Sequence, residues 1–120
     1  MQDLKSRYKK FAIEVATLIQ SLSKGTINNA YANQLIRSSS SPGTNYRAAC
    51  RAKSTADFIN KLKIVKEELD ESIYFLELLL HFNPEQKITI ESLHKDANEL
   101  LAITVQSIKT TRSCIQTRTS

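Results

Sequence analysis

The chain has 120 residues, long enough for one domain and not for two, so one hydrophobic core is expected to account for most of its apolar positions. Hydrophobic residues reach 41% but come in short steps without a run that could span a bilayer, and the N-terminal MQDLKSRYKKF lacks the apolar stretch of a secretory signal, so the expectation is a cytoplasmic protein with no membrane partner. The net charge of +5 is segregated: Arg37, Arg47, Arg51, Lys53, Lys61, Lys63 and Lys66 meet one acid, Asp57, before an acidic run of Glu67, Glu68, Asp70, Glu71 and Glu77, and Lys109, Arg112 and Arg118 follow without an acid.

The first segment places Leu4, Tyr8, Phe11, Val15, Leu18 and Leu22 at alternating steps of four and three, which predicts a helix over about 4–23 with one buried stripe. Gly25 is then expected to end it in a left-handed conformation. The second segment holds RSSSSPG, residues 37–43, and has two readings. As a linker, the serine run would leave a helix half the length of its neighbours and an unfilled corner in the bundle. As helix, over about 27–51, it keeps a seam of Ile27, Tyr31, Gln34, Ser38, Ser41, Asn45, Ala49 and Ala52, with Pro42 kinking the helix without ending it. The second reading is the better one, because serine hydroxyls offset part of the hydrogen bond that proline removes.

The third helix is expected over about 55–81, with Ser54 and Asp57 as a capping box, Phe58, Leu62, Val65, Leu69, Ser72, Leu76 and Leu79 as its seam, and Asn83-Pro84 as its stop. The fourth, about 89–111, takes Thr89 as its N-cap, carries Ile90, Leu93, Ala97, Leu100, Thr104 and Ile108, and should fray in the Thr- and Ser-rich tail. The fold class is therefore all-α, an antiparallel up-down-up-down four-helix bundle in one domain over 1–120.

A short turn between helices two and three places Ser38 near Glu68, and Gln34 near Glu71 and Ser72. Arg37, Ser38, Ser41, Asn45, Glu68 and Glu71 are thus predicted to form a structural polar layer that fixes register. Their alternative use as a carboxylate metal site lacks a His, a Cys or a second Glu-x-x-His helix. Cys50 and Cys114 lie far apart with no metal-ligand spacing and read as reduced thiols. His81 and His94 read as surface or helix-end residues. Neither a catalytic residue nor a metal or cofactor site is expected.

NQLIRSSSSPGTNYRAACRAKSTADFINKLKIVKEELDESIYFLELL, Asn33 to Leu79, resembles the four-helix-bundle proteins of the 23S rRNA intervening-sequence family. The likeness runs through Gln34, Leu35, Arg37, Ser38, Ser41, Asn45, Tyr46, Arg47, Ala49 and Ser54, and on through Phe58, Lys61, Leu62, Ile64, Glu68, Glu71, Tyr74 and Leu76. Departures are Ala48 where the family usually has Glu, Leu69 for Ala, Asp57 for Glu, Ser72 for Thr and Phe75 for Trp. The resemblance implies a bundle that associates into a ring, commonly a homopentamer. It also implies a relation to the accessory variability proteins of diversity-generating retroelements, which are similar in fold and bind a reverse transcriptase and nucleic acid.

Ile59, Ile73 and Leu80, together with Ile13, Ile19 and Ile103, lie off the predicted seams and give the ring some support from the sequence itself. Two functional readings follow. In one, Arg47, Arg51, Lys53, Lys61, Lys63 and Lys66 bind RNA or DNA through phosphates, with little sequence preference because no base-reading motif is present. Arg37 is left out as a partner of Glu68. Tyr46 and Tyr74 could stack on bases, although tyrosines at helical spacing more commonly pack in a core or interface. In the other, the basic zone docks on the acidic zone of a neighbouring subunit or protein partner, so the chain is a scaffold.

Overall fold

A computed structural model describes residues 3–119, and side chains to residue 114. Helix α1 spans Leu4–Ser21, α2 Thr26–Cys50, α3 Thr55–Phe82 and α4 Lys87–Thr119, with one 3-10 turn at Pro84–Gln86 before α4. No strand occurs among the described residues. Each helix packs on its sequence neighbours, and α4 closes against α1. Hydrogen bonds show the directions: 28 meets 83 and 38 meets 72 across α2 and α3, while 8 meets 104 and 21 meets 86 across α1 and the segment after α3, so each pair is antiparallel. The bundle measures 55 × 24 × 21 Å, which keeps its two ends well apart.

Three of the predicted stripes face inward. Tyr8, Phe11, Val15 and Leu18 of α1 meet Leu62, Val65, Leu69, Leu76 and Leu79 of α3 and all of Ile90, Leu93, Ala97, Leu100, Thr104 and Ile108 of α4 in the buried interior. At the start of α3 the buried position is Ile59, not Phe58, which is half-buried. Ser54 caps α3 as expected, accepting a bond from the Asp57 N–H at 3.0 Å.

The serine run is helix. Helix α2 passes unbroken through Ser38 to Ser41 and Pro42, and Ser38, Ser39 and Ser40 each return a hydroxyl to a carbonyl of the preceding turn. Its buried positions are Ala32, Leu35, Ser38, Ser39, Pro42 and Ala49, so the predicted seam holds at Ser38 and Ala49, while Ala32, Leu35 and Pro42 are buried one residue beyond Tyr31, exposed Gln34 and Ser41. Small residues are needed because α2 packs on α1 and α3 at once. A Cβ at Gly43 would come within 3.3 Å of the Tyr8 Cβ, so the missing side chain lets α1 and α2 close up there.

Other expectations at the helix ends are corrected. Gly25 is the N-cap of α2 with extended backbone (φ 172°), and α1 stops at Ser21 with Leu22 as its C-cap. Thr89 does not cap α4, since the 3-10 turn starts the helix two residues earlier, with Gln86 N–H bonded to Asn83 O at 2.9 Å. Buried Asn83 holds this corner by exchanging two amide hydrogen bonds with Asn28, at 2.8 and 3.0 Å. The tail does not fray at residue 111: α4 continues to Thr119, with no Gly or Pro in the tail to stop it.

The apolar line expected on the outside is also redistributed. Ile59 is buried, and Ile19, Ile73 and Leu80 pack partly onto the core. Ile103 is half-buried and Ile13 exposed. Ile27, Tyr74 and Phe82 are exposed instead, and Tyr74 and Phe82 join half-buried Tyr31 and Phe75 through ring contacts of 5.5–6.1 Å on the α2–α3 side.

Candidate nucleic-acid interface

The antiparallel order brings the start of α1, the end of α2, the start of α3 and the last turns of α4 to one end of the bundle. Two helix N-termini and two C-termini meet there, so their dipoles largely cancel and side chains set the field. Of the chain's 12 Asp and Glu residues only Asp3 and Asp57 fall at this end, which holds most of the Lys and Arg.

The six predicted nucleic-acid-binding residues do not make a single surface. Lys63 and Lys66 of α3 face Lys109 and Arg112 of α4 across a groove of about 150 Å³ floored by Val105 and Ile108. Arg47 lies on another side, with Lys5 and Lys9 of α1 around a cleft of about 270 Å³ that Tyr8, Gly43 and Thr44 also line. Arg51 and Lys53 sit exposed at the α2–α3 turn, and Lys61 is half-buried outside both grooves. Packing therefore joins two basic patches that lie apart in sequence and adds Lys5 and Lys9, whose role no local motif signals. The side chain of Arg118 lies outside the described residues.

The predicted polar layer separates into three. Arg37 bridges two carboxylates of α3, reaching Glu68 at 3.1 Å and also bonding Glu71. Ser38 meets Ser72, at 3.0 Å and fully buried, where Gln34 was expected beside Ser72. Asn45 turns back to the carbonyl and hydroxyl of Ser41 in its own helix, so neither joins the carboxylates. Among the described residues no three His, Cys, Asp or Glu side chains gather as a metal site. Cys50 and Cys114 are free and exposed, and His94 bonds Glu77 at 2.8 Å. Tyr46 packs on Tyr8 with ring centroids 5.1 Å apart, and burial, with Cys50 beside it, pushes its hydroxyl up to about 12. Tyr74 is 57% exposed and leans edge-on against Phe75. No helix among the described residues is long and apolar enough to cross a membrane.

A family profile for the 23S rRNA-intervening sequence protein matches residues 3–106. The chain belongs to that family. A crystal structure of a protein of unknown function from the S23 ribosomal protein family of Bacteroides thetaiotaomicron is 33% identical, with a TM-score of 0.80 over 89% of this chain and 99% of that one. No curated protein matches at a significant level. Within this intervening-sequence protein, Lys63 and Lys66 lie inside the family match, whereas Lys109 and Arg112 lie on the part of α4 beyond it.

The Arg37 cluster also has a pH signature. Burial pushes the Glu68 carboxyl above the usual range; Arg37 opposes that rise and Glu71 adds to it. Between the ordinary and the raised value the folded chain binds more protons than the unfolded one, so stability falls as pH rises through that window and recovers on acidification. Arg37→Met removes the restraining charge and widens the window. Its stability deficit against the unmodified chain should be greatest at neutral pH and shrink as Glu68 protonates. Urea denaturation at pH 7 and pH 4 measures this, and an equal deficit at both would assign Arg37 to packing.

Proposed function

We propose that this chain is a non-enzymatic, oligomeric nucleic-acid-binding or accessory protein that contacts phosphates with its basic end. The observation that carries the reading is the convergence of Lys63, Lys66, Lys109 and Arg112 from two helices onto one groove with no acid in its lining. Cations grouped without counter-charges focus a positive field, and an RNA or DNA backbone supplies the matching one. The exposed Ile27, Tyr74 and Phe82 suit association into the homopentameric ring that the sequence resemblance implies. On that resemblance alone, the partner of this ring is a reverse transcriptase of a diversity-generating retroelement.

The scaffold reading keeps one observation in its favour: Glu67 and Asp70 are exposed on α3 with no ion pair among the described residues, which suits them to receive a neighbour's basic end. Size-exclusion chromatography with light scattering, following absorbance at 260 and 280 nm, separates the two. Under the nucleic-acid reading the low-salt oligomer carries RNA and sheds it in high salt. A nucleic-acid-free oligomer that falls apart when Lys53, Lys61 and Lys63 are reversed to Glu would establish the scaffold instead.

A further inference from the structure

Lys5 and Lys9 are one helical turn apart on the same face of α1, and Arg47 approaches them from the last turn of α2. Like charges at this spacing work against the helix that carries them. Among the described residues three cations are paired with acids: Arg7 with Glu99, Lys10 with Glu14, and Arg37 with Glu68 and Glu71. Among the described residues none of Lys5, Lys9 and Arg47 has an ion pair, and no acid lines their cleft. The nearest acid along α1, Asp3, is turned into its own first turn, accepting from Lys5 N–H and the Ser6 hydroxyl. The Thr44 hydroxyl, on the same wall, has no hydrogen-bond partner among the described residues.

The site is a concavity and not a flat patch. Close approach of α1 and α2 at Gly43 and Tyr8 forms its floor, and the Tyr8 hydroxyl is directed away to Thr104. About 270 Å³ accommodates a phosphate with part of the group that carries it. Three cations exceed the single charge of an internal phosphodiester. A terminal phosphate, with a charge of roughly −1.5 to −2 near neutral pH, matches them better, and the planar Arg47 fork suits two of its oxygens.

We infer that the α1–α2 cleft of Lys5, Lys9, Thr44 and Arg47 is a binding site for a phosphate monoester or free phosphate group. This deepens the nucleic-acid reading and rests on it only for the source of the phosphate, which is then the end of a strand instead of its backbone.

The test compares single-stranded RNA of one sequence with a 5′-phosphate or a 5′-hydroxyl, by fluorescence anisotropy on the full chain at fixed salt, and in parallel titrates inorganic pyrophosphate by calorimetry. The expected preference for the phosphorylated end is on the order of tenfold, as suits one added charge-assisted contact. Lys5→Gln with Lys9→Gln should abolish that ratio, whereas Lys63→Gln with Lys109→Gln should weaken both RNAs alike and keep it. Circular dichroism confirms that each variant is folded. If RNA binding or the end preference is missing while pyrophosphate binds and is lost in the Lys5 and Lys9 variant, the site stands with a free phosphate compound as its ligand. Absence of both an end preference and pyrophosphate binding, or persistence of both in that variant, overturns the inference.

Discussion

Raising the salt from 50 to 200 mM should weaken single-stranded RNA binding by about fiftyfold, if four phosphates are held by Lys63, Lys66, Lys109 and Arg112. Each neutralised phosphate on a single strand contributes about −0.7 to the slope of log affinity against log salt, so four give about −2.8. Replacing all four with Gln should remove that contribution and lower the low-salt affinity by a similar factor. Gln keeps most of the side-chain length, and all four substituted positions are exposed, so the fold should hold. Affinities for a uridine homopolymer and a mixed sequence should agree within a few-fold, because backbone contacts position a strand without reading it. Anisotropy titrations at four salt concentrations give the slope directly. An unchanged slope in the quadruple variant would remove this groove from the interface.

The arrangement behind that prediction was only half visible in the sequence. Where side chains differ sharply in polarity, as at Ile90, Leu93, Ala97 and Leu100, the helical period alone marks the buried face. Helix α2 offers no such contrast. Apart from Leu35 its inner face is Ala32, Ser38, Ser39, Pro42 and Ala49, small because the helix is wedged between two others, so a seam through Gln34 fits the spacing as well as one through Leu35. Charge clusters fail for a different reason. Lys63 and Lys109 are brought together by antiparallel packing of α3 on α4, as are Lys5 and Arg47 by α1 on α2, and no local spacing encodes either meeting. Arg37 was legible because its two acids repeat every three residues on the facing helix.

The interior beneath the basic end depends on one buried hydroxyl pair, and its disruption should be the most damaging single polar change. Tyr8 and Thr104 are 1% and 2% exposed, and their oxygens are 2.9 Å apart. The single Thr104 hydroxyl hydrogen goes to Leu100 O at 2.8 Å, so Tyr8 donates and Thr104 accepts. Burial raises the Tyr8 pKa and keeps the phenol protonated for that role. Thr104→Val keeps the volume but strands the phenol hydrogen in an apolar interior, at a cost of about 2 kcal/mol. Tyr8→Phe leaves the Thr104 bond to Leu100 in place and should cost only about 1 kcal/mol. In the double variant no donor is stranded, so its deficit should fall below the sum of the two. For a chain of this length the Thr104→Val loss corresponds to a Tm shift on the order of 8 °C, readable by thermal circular dichroism. Strictly additive deficits would mean that the two hydroxyls do not depend on each other, and that α1 and α4 are joined here by ring packing alone.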